Sequence, residues 1–319
     1  MSSRAGNGVS EKCVKASTLL LLAMQNTAVV LLTKFSYRDT RTPYIVSTVV
    51  ACSECAKLFL SSALVVVLEG PEALYGGLRK VPHSALHLSV PSLLYVFQNN
   101  LIFEGVRLLH PTVYMVCSQS KILTSALFGT ILLKTIITRR QALALCLLIL
   151  GMILAQSTDD TMYGLSDGNS LKGVAIVFMA SITSGFAGTY LEKIYKEQKT
   201  GGSCDSILVR NMQLACLSLP IAAGNAVLRD GATMLSNGIF TGYNLAVIMI
   251  ITLQAVGGLV VAAVMRYASN VLKCFAVSIS ICICILLTNY VLPGSELGLG
   301  HHQAFGILFV VAATFMYTK

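Results

Sequence analysis

Residues 244–267 read NLAVIMIITLQAVGGLVVAAVMRY, and their one charged side chain, Arg266, stands beside the end. At 1.5 Å per residue a helix of this length reaches about 36 Å, enough to cross a hydrocarbon layer of about 30 Å. Inside that layer no water is present to satisfy backbone N–H and C=O groups, so a spanning segment is a helix or part of a closed barrel. Barrel strands are short and alternate in hydrophobicity; this run is continuous. Comparable runs occupy about 16–33, 44–67, 84–105, 111–133, 140–156, 171–195, 206–228, 270–291 and 301–317. The predicted fold class is an all-α polytopic membrane protein with ten transmembrane helices, their ends uncertain by about three residues.

Composition agrees with a lipid solvent. Of the 319 residues 55% are hydrophobic and 12% charged, about half the charge fraction of a soluble domain, and mean hydropathy is +0.74. The net charge of +9 falls mostly in short connections at helix ends, with no basic–aromatic stripe for nucleic acid, and suits an anionic solute or lipid headgroup. The first run is too long for a signal-peptide core and reads as a retained span behind a tail of residues 1–15. The remainder, 16–319, reads as one transmembrane domain.

With ten spans both termini share a side. That side carries Arg4, Lys12, Lys15, Arg79, Lys80, Lys134, Arg139, Arg140, Lys193, Lys196, Lys199, Arg266 and Lys319, against Lys34, Arg38, Arg41, Arg107, Lys172 and Arg229 opposite. The bias puts both termini in the cytosol. The polar stretch from Ser157 to Ser170 separates five spans from five. Two five-helix halves, about 16–156 and 171–317, would insert in opposite senses, the inverted repeat common in alternating-access transporters. The segment 69–83, with its prolines and glycines, reads as a loop.

A charge at mid-bilayer costs about 3 kcal/mol on insertion scales, so each one calls for a partner. Lys121 lies about 16 Å into the fourth span, and its helical neighbours at three and four residues are Cys117, Ser118, Thr124 and Ser125, none acidic. It needs a wet cavity, a carboxylate from another helix such as Glu54 or Glu192, or an anionic ligand. Lys273 near the start of the ninth span reads either as an interfacial snorkelling lysine or as the counterpart of Lys121, since each lies on the fourth helix of its half. Two ammonium groups meeting there would hold phosphate. Glu54 and Lys57, three residues apart, can neutralise one another as a structural or gating pair. Glu104 reads as interfacial, Arg210 as an anchor of the seventh span, and Glu192 and Lys193 as either solvated or functional. Tyr95, Gln98, Asn99, Asn100 and Asn211 offer the aromatic and amide groups a nucleobase requires, or interhelical glue. Tyr114, Ser118 and Lys121 share a helix face. The glycines of 184–188 and 257–258 permit close helix approach.

Enzyme chemistry in a membrane needs carboxylate pairs, a nucleophile with a base, or a metal cluster. Asp159–Asp160 has no partner motif, and Cys52–Ser53–Glu54–Cys55 and His301–His302 read as packing and headgroup residues, so no enzyme, metal or cofactor is expected.

The run Val90–Pro91–Ser92–Leu93–Leu94–Tyr95 with Gln98–Asn99–Asn100 resembles a segment of the nucleotide-sugar transporters, in the branch carrying UDP-galactose, UDP-N-acetylglucosamine and CMP-sialic acid. Lys121–Ile122–Leu123–Thr124, Ser184–Gly185–Phe186–Ala187–Gly188 with Tyr190, Glu192 and Lys193, Val209–Arg210–Asn211, Gly257–Gly258–Leu259, and Asn270 with Lys273 continue the likeness in order. The resemblance implies a drug/metabolite-transporter fold and a Golgi membrane, with the endoplasmic reticulum as alternative. It implies exchange of a cytosolic nucleotide sugar, UDP-galactose or UDP-N-acetylglucosamine first, for a lumenal nucleoside monophosphate. The alternatives are CMP-sialic acid or another organic anion. It places Lys121 and Lys273 at phosphate, and Tyr95, Asn99, Tyr114 and Asn211 around the nucleotide. It leaves room for a homodimer. The chain departs from the family in Ser118 and Ser120, where a tyrosine and a leucine are usual, in Arg266 and in Ser269.

Overall fold

The structure, a computed structural model, describes residues 2–38, 44–109, 111–156, 168–197, 206–291 and 300–318. The side chains of 2–12, 34, 37, 38, 83–86, 99, 103, 111, 112, 168–170 and 289–291 lie outside the description. So do the Asp159–Asp160 pair and half of the basic residues expected opposite the termini, Lys34, Arg38 and Arg41. Among the described residues the chain is helical, with no strand. The helices are α1 (Ser2–Arg38), α2 (Val46–Glu69), α3 (Pro71–Arg79), α4 (Val81–Leu108), α5 (Pro111–Ser118), α6 (Ser120–Leu133), α7 (Arg139–Gln156), α8 (Gly168–Glu197), α9 (Ile207–Asn237), α10 (Leu245–Tyr267), α11 (Asn270–Val291) and α12 (His301–Thr318).

Among the described residues eight stretches are long and apolar enough to cross a bilayer: 13–33, 46–69, 113–133, 139–156, 171–197, 207–237, 245–267 and 270–288. The remaining two expected spans, 84–105 and 301–317, fall on helices α4 and α12. Large apolar side chains such as Phe59, Val67, Leu143, Leu171, Leu228 and Phe305 are exposed, the surface a lipid solvent accepts.

Two local expectations change. The loop expected at 69–83 holds a nine-residue helix, α3, with Pro71 in its first turn and Arg79 in its last. Gly77 presses α3 onto α9, where an added Cβ would stand 2.8 Å from Val209 Cγ1, and Gln213 Nε2 donates to Gly77 O at 3.0 Å. The expected continuous span 111–133 is interrupted at Gln119, where tight bonds replace the α-helical ladder: Gln119 N to Val116 O at 3.1 Å and Ile122 N to Gln119 O at 3.0 Å. The hydroxyls of Ser118 and Ser120 donate to Met115 O and Cys117 O, a side-chain competition for backbone carbonyls that bends helices.

The chain forms two compact units, each drawn from both sequence halves: Met1–Val96 with Ile194–Ala268, and Phe97–Lys193 with Ser269–Lys319. In the first unit α2 packs on α9 and α10, and α1 lies along α10. Its apolar clusters are Tyr44, Val49, Val247 and Ile250, and Val65, Val209 and Met212. In the second unit α7 packs along α12 and α11 packs on α6, around Ile122, Leu145, Leu148, Met152, Phe275 and Val310. α7 and α12 touch backbone to backbone: a Cβ on Gly151 would lie 2.9 Å from Gly306 O, and one on Gly306 would lie 2.7 Å from Gly151 O.

Candidate functional site

In the second unit, three helices bring their polar residues together. α6 opens just after the break at Gln119, which puts Lys121 in its first turn, half-buried. Thr124 Oγ1 donates to Ser181 O at 2.7 Å, tying α6 to α8. Gly185 makes that approach feasible, since a Cβ there would be 2.5 Å from Thr124 Oγ1. α11 begins with Ser269, whose Oγ accepts Leu272 N–H at 3.2 Å. The buried Glu192 of α8 supplies a carboxylate oxygen to Asn270 N–H at 2.7 Å, a favourable place for negative charge at a helix N-terminus. Asn270 Nδ2 donates to Ser125 Oγ at 3.0 Å and reaches Thr189 Oγ1 at 3.4 Å. Gly188 leaves the space its side chain occupies. Lys273 follows one turn later, half-buried.

Lys121 borders two cavities. One, of about 120 Å³, is lined by Gln98, Tyr114, Ser118, Lys121, Ser181 and Ser184 together with Ile102, Val177 and Ala180. The other, of about 130 Å³, is lined by Lys121, Ser125, Ser184, Asn270, Lys273, Cys274 and Val277. No acidic residue lines either cavity. Among the described residues no carboxylate lies within 4.0 Å of the Lys121 or Lys273 ammonium. Of the expected carboxylate partners, Glu54 pairs with Lys57 at 2.5 Å, and Glu192 caps α11 while attracting the Lys273 ammonium from beyond contact distance. Two like charges on a low-dielectric wall repel and favour an anion between them. The surrounding hydroxyls and amides can donate to its oxygens.

The other expected site residues distribute as follows. Tyr114 lines the Lys121 cavity. Tyr95 and Asn211 belong to the first unit; Tyr95 is half-buried, and the buried Asn211 donates from Nδ2 to Ser61 Oγ at 2.9 Å. Asn99 is on α4 with its side chain outside the described residues. The Glu54–Lys57 pair forms within the first unit; Ser218 Oγ donates to Glu54 Oε2, and Gly258 gives room to the Lys57 stem.

Glu192 differs from its solvated reading, and Arg210 is half-buried near the start of α9. Glu192 is 2% exposed, because α11 needs an acceptor where its chain enters the protein interior. Arg210 Nε is buried without a hydrogen-bond partner. Glu104 does pair with Arg107 at 2.5 Å on an exposed surface, a contact worth little. Ser125, Ser181, Ser184 and Cys274 were not singled out as lining residues. Their signal was present: Ser118, Lys121 and Ser125 are spaced three and four apart, and so are Asn270, Lys273 or Cys274, and Val277.

Helices of this length and apolarity define a polytopic α-helical membrane protein, and one of its cavities is lined by two lysines and no acid. The chain belongs to the nucleotide-sugar transporter family, whose sequence profile, described as "Nucleotide-sugar transporter", matches residues 10–318. It is 34% identical over 321 residues to a human UDP-N-acetylglucosamine transporter, covering 95% of each chain. It is 34% identical to the UDP-N-acetylglucosamine/UDP-N-acetylgalactosamine transporter nstp-4 of Caenorhabditis elegans, over 95% of this chain and 93% of that one. It is 33% identical to a UDP-galactose transporter of Schizosaccharomyces pombe, over 96% and 88%. Among solved structures, one crystal structure superposes with a TM-score of 0.68 at 10% identity, over 97% of this chain and 96% of that one, which shows a shared fold.

Proposed function

We propose that this chain is an antiporter that brings a cytosolic UDP-sugar, UDP-N-acetylglucosamine or UDP-galactose, into the Golgi lumen in exchange for a nucleoside monophosphate. It does so without chemistry, on ten spans arranged as two inverted five-helix repeats with both termini cytosolic. The observation that carries the reading is the pair Lys121 and Lys273 on one acid-free cavity wall. A diphosphate matches that wall in charge, and the serines and Asn270 match its oxygens. The printed names of the relatives favour uridine nucleotides. Tyr114 on the adjoining cavity, with Tyr95, Asn99 and Asn211, is assigned to the nucleoside. Because two ammonium groups with no carboxylate paired at contact distance disfavour an empty closed state, closure is coupled to a bound anion, and transport becomes obligatory exchange.

The test is uptake into proteoliposomes preloaded with UMP or CMP, with radiolabelled UDP-N-acetylglucosamine, UDP-galactose and CMP-sialic acid outside. Uptake of a UDP-sugar that depends on internal UMP is expected, and Lys121→Ala should abolish it while leaving expression intact. Uptake of CMP-sialic acid against CMP would move the base assignment to cytosine. Normal exchange by Lys121→Ala would remove the phosphate site.

A further inference from the structure

We propose that Cys274 is a covalent modification site inside the anion cavity, open to small, negatively charged, thiol-reactive molecules, and that its modification closes the site to the transported anion. Cys274 lines the 130 Å³ cavity with Lys121, Lys273, Ser125, Ser184 and Asn270. It is 7% exposed, so a reagent meets it through that cavity. Its sulfur is 3.9 Å from Ser125 Oγ, a weak contact that leaves the sulfur available. An independent feature also points to an occupant, one that carries a hydrogen-bond donor beside its anionic group: Asn270, 2% exposed and lining the same cavity, holds the acceptor Oδ1 buried without a hydrogen-bond partner.

The selectivity follows from charge. The two lysines have no paired carboxylate among the described residues, and a cavity lined by one sign of charge concentrates ions of the other. The thiolate is the reacting form. With an anionic methanethiosulfonate, Cys274 Sγ attacks the sulfenyl sulfur. The new S–S bond forms as the bond to the sulfonyl group breaks, methanesulfinate leaves with the electron pair, and the thiol proton passes to water. With a small anionic disulfide the same attack gives a mixed disulfide and releases one thiolate, and a reducing thiol reverses it. Either adduct leaves an anion tethered where a phosphate would bind. Cys13, exposed at the edge of the first span, lines neither cavity; it serves as an internal reference within reach of water. The closing effect rests on the transport reading above, whereas the labelling does not.

The experiment treats full-length protein with sulfonatoethyl or trimethylammonioethyl methanethiosulfonate. Label on Cys274 and Cys13 is quantified by peptide mass spectrometry, and each rate is divided by that reagent's rate with a free thiol. Cys274 should prefer the anionic reagent by about ten-fold or more over Cys13, and Lys121→Ala should shrink that preference. UMP should slow Cys274 labelling, and the anionic reagent should inhibit exchange by wild-type protein but not by Cys274→Ala, read as treated over untreated rate. No label on Cys274, or no charge preference, overturns the site. Inhibition that persists in Cys274→Ala overturns its closing role. Charge-selective label without UMP protection upholds the site and counts against the nucleotide reading.

Discussion

At the scale of single residues, Lys121 and Glu192 differ in how much the sequence reveals. Lys121 was legible because helical spacing alone removed every local counterion, which left an anion or a distant carboxylate. Glu192 was not: its acceptor role depends on Asn270, 78 residues away in sequence, and a carboxylate near a helix end reads equally well as solvated. Its burial makes a prediction. Glu192→Ala leaves the Asn270 N–H without an acceptor and should cost about 1–3 kcal/mol. Glu192→Gln keeps an acceptor oxygen and should cost less. Thermal melts in detergent should rank wild type above Gln above Ala. Equal melting temperatures would remove the capping role.

Elements were legible where apolar length decides them and obscure where local polar bonding does. The ten apolar runs lie on helices, the run 111–133 on α5 and α6 together, because a run that long has no other way to satisfy its backbone in lipid. α3 was missed because its glycines and prolines carry turn signals, although Gly77 is there to bring its backbone against α9. The break at Gln119 was missed because serine hydroxyls compete with a helix without any proline or glycine to mark the place. α7 illustrates a start signal that can be read directly: Thr138 N donates to Gln141 Oε1 at 3.1 Å, and Gln141 N to Thr138 Oγ1 at 3.2 Å, a reciprocal capping box. Thr138→Ala should destabilise the protein by about 1 kcal/mol, and hydrogen exchange should show faster opening confined to the first turn of α7. Unchanged exchange there would mean that packing alone fixes the start.

For the whole molecule, the division into units was not legible, because hydropathy reports the solvent around a helix and says little of its neighbours. The compact unit around Lys121 joins α5–α8 to α11 and α12, and the glycine contact between α7 and α12 is its tightest backbone approach across the sequence halves. Gly306→Val would drive a side chain into Gly151 O and the Ala155 backbone, and should cost about 1–3 kcal/mol through overpacking. Size-exclusion profiles of the fluorescently tagged variant should shift from the monodisperse peak towards aggregate. A wild-type profile and melting temperature would mean the two helices separate freely.

The interleaving of the two units also sets a schedule for synthesis. Domains ordinarily fold as units while the ribosome is still translating. Here neither unit can close when the first half of the nascent chain has left the translocon, since each lacks helices that have yet to be made. The early helices must wait in the lipid, sheltered or chaperoned, those of the first unit until α10 arrives and those of the second until α12 does. A premature stop shortly before α12 would strand the partly assembled unit around Lys121, and cellular quality control should treat that late lesion as harshly as one near the start of the reading frame.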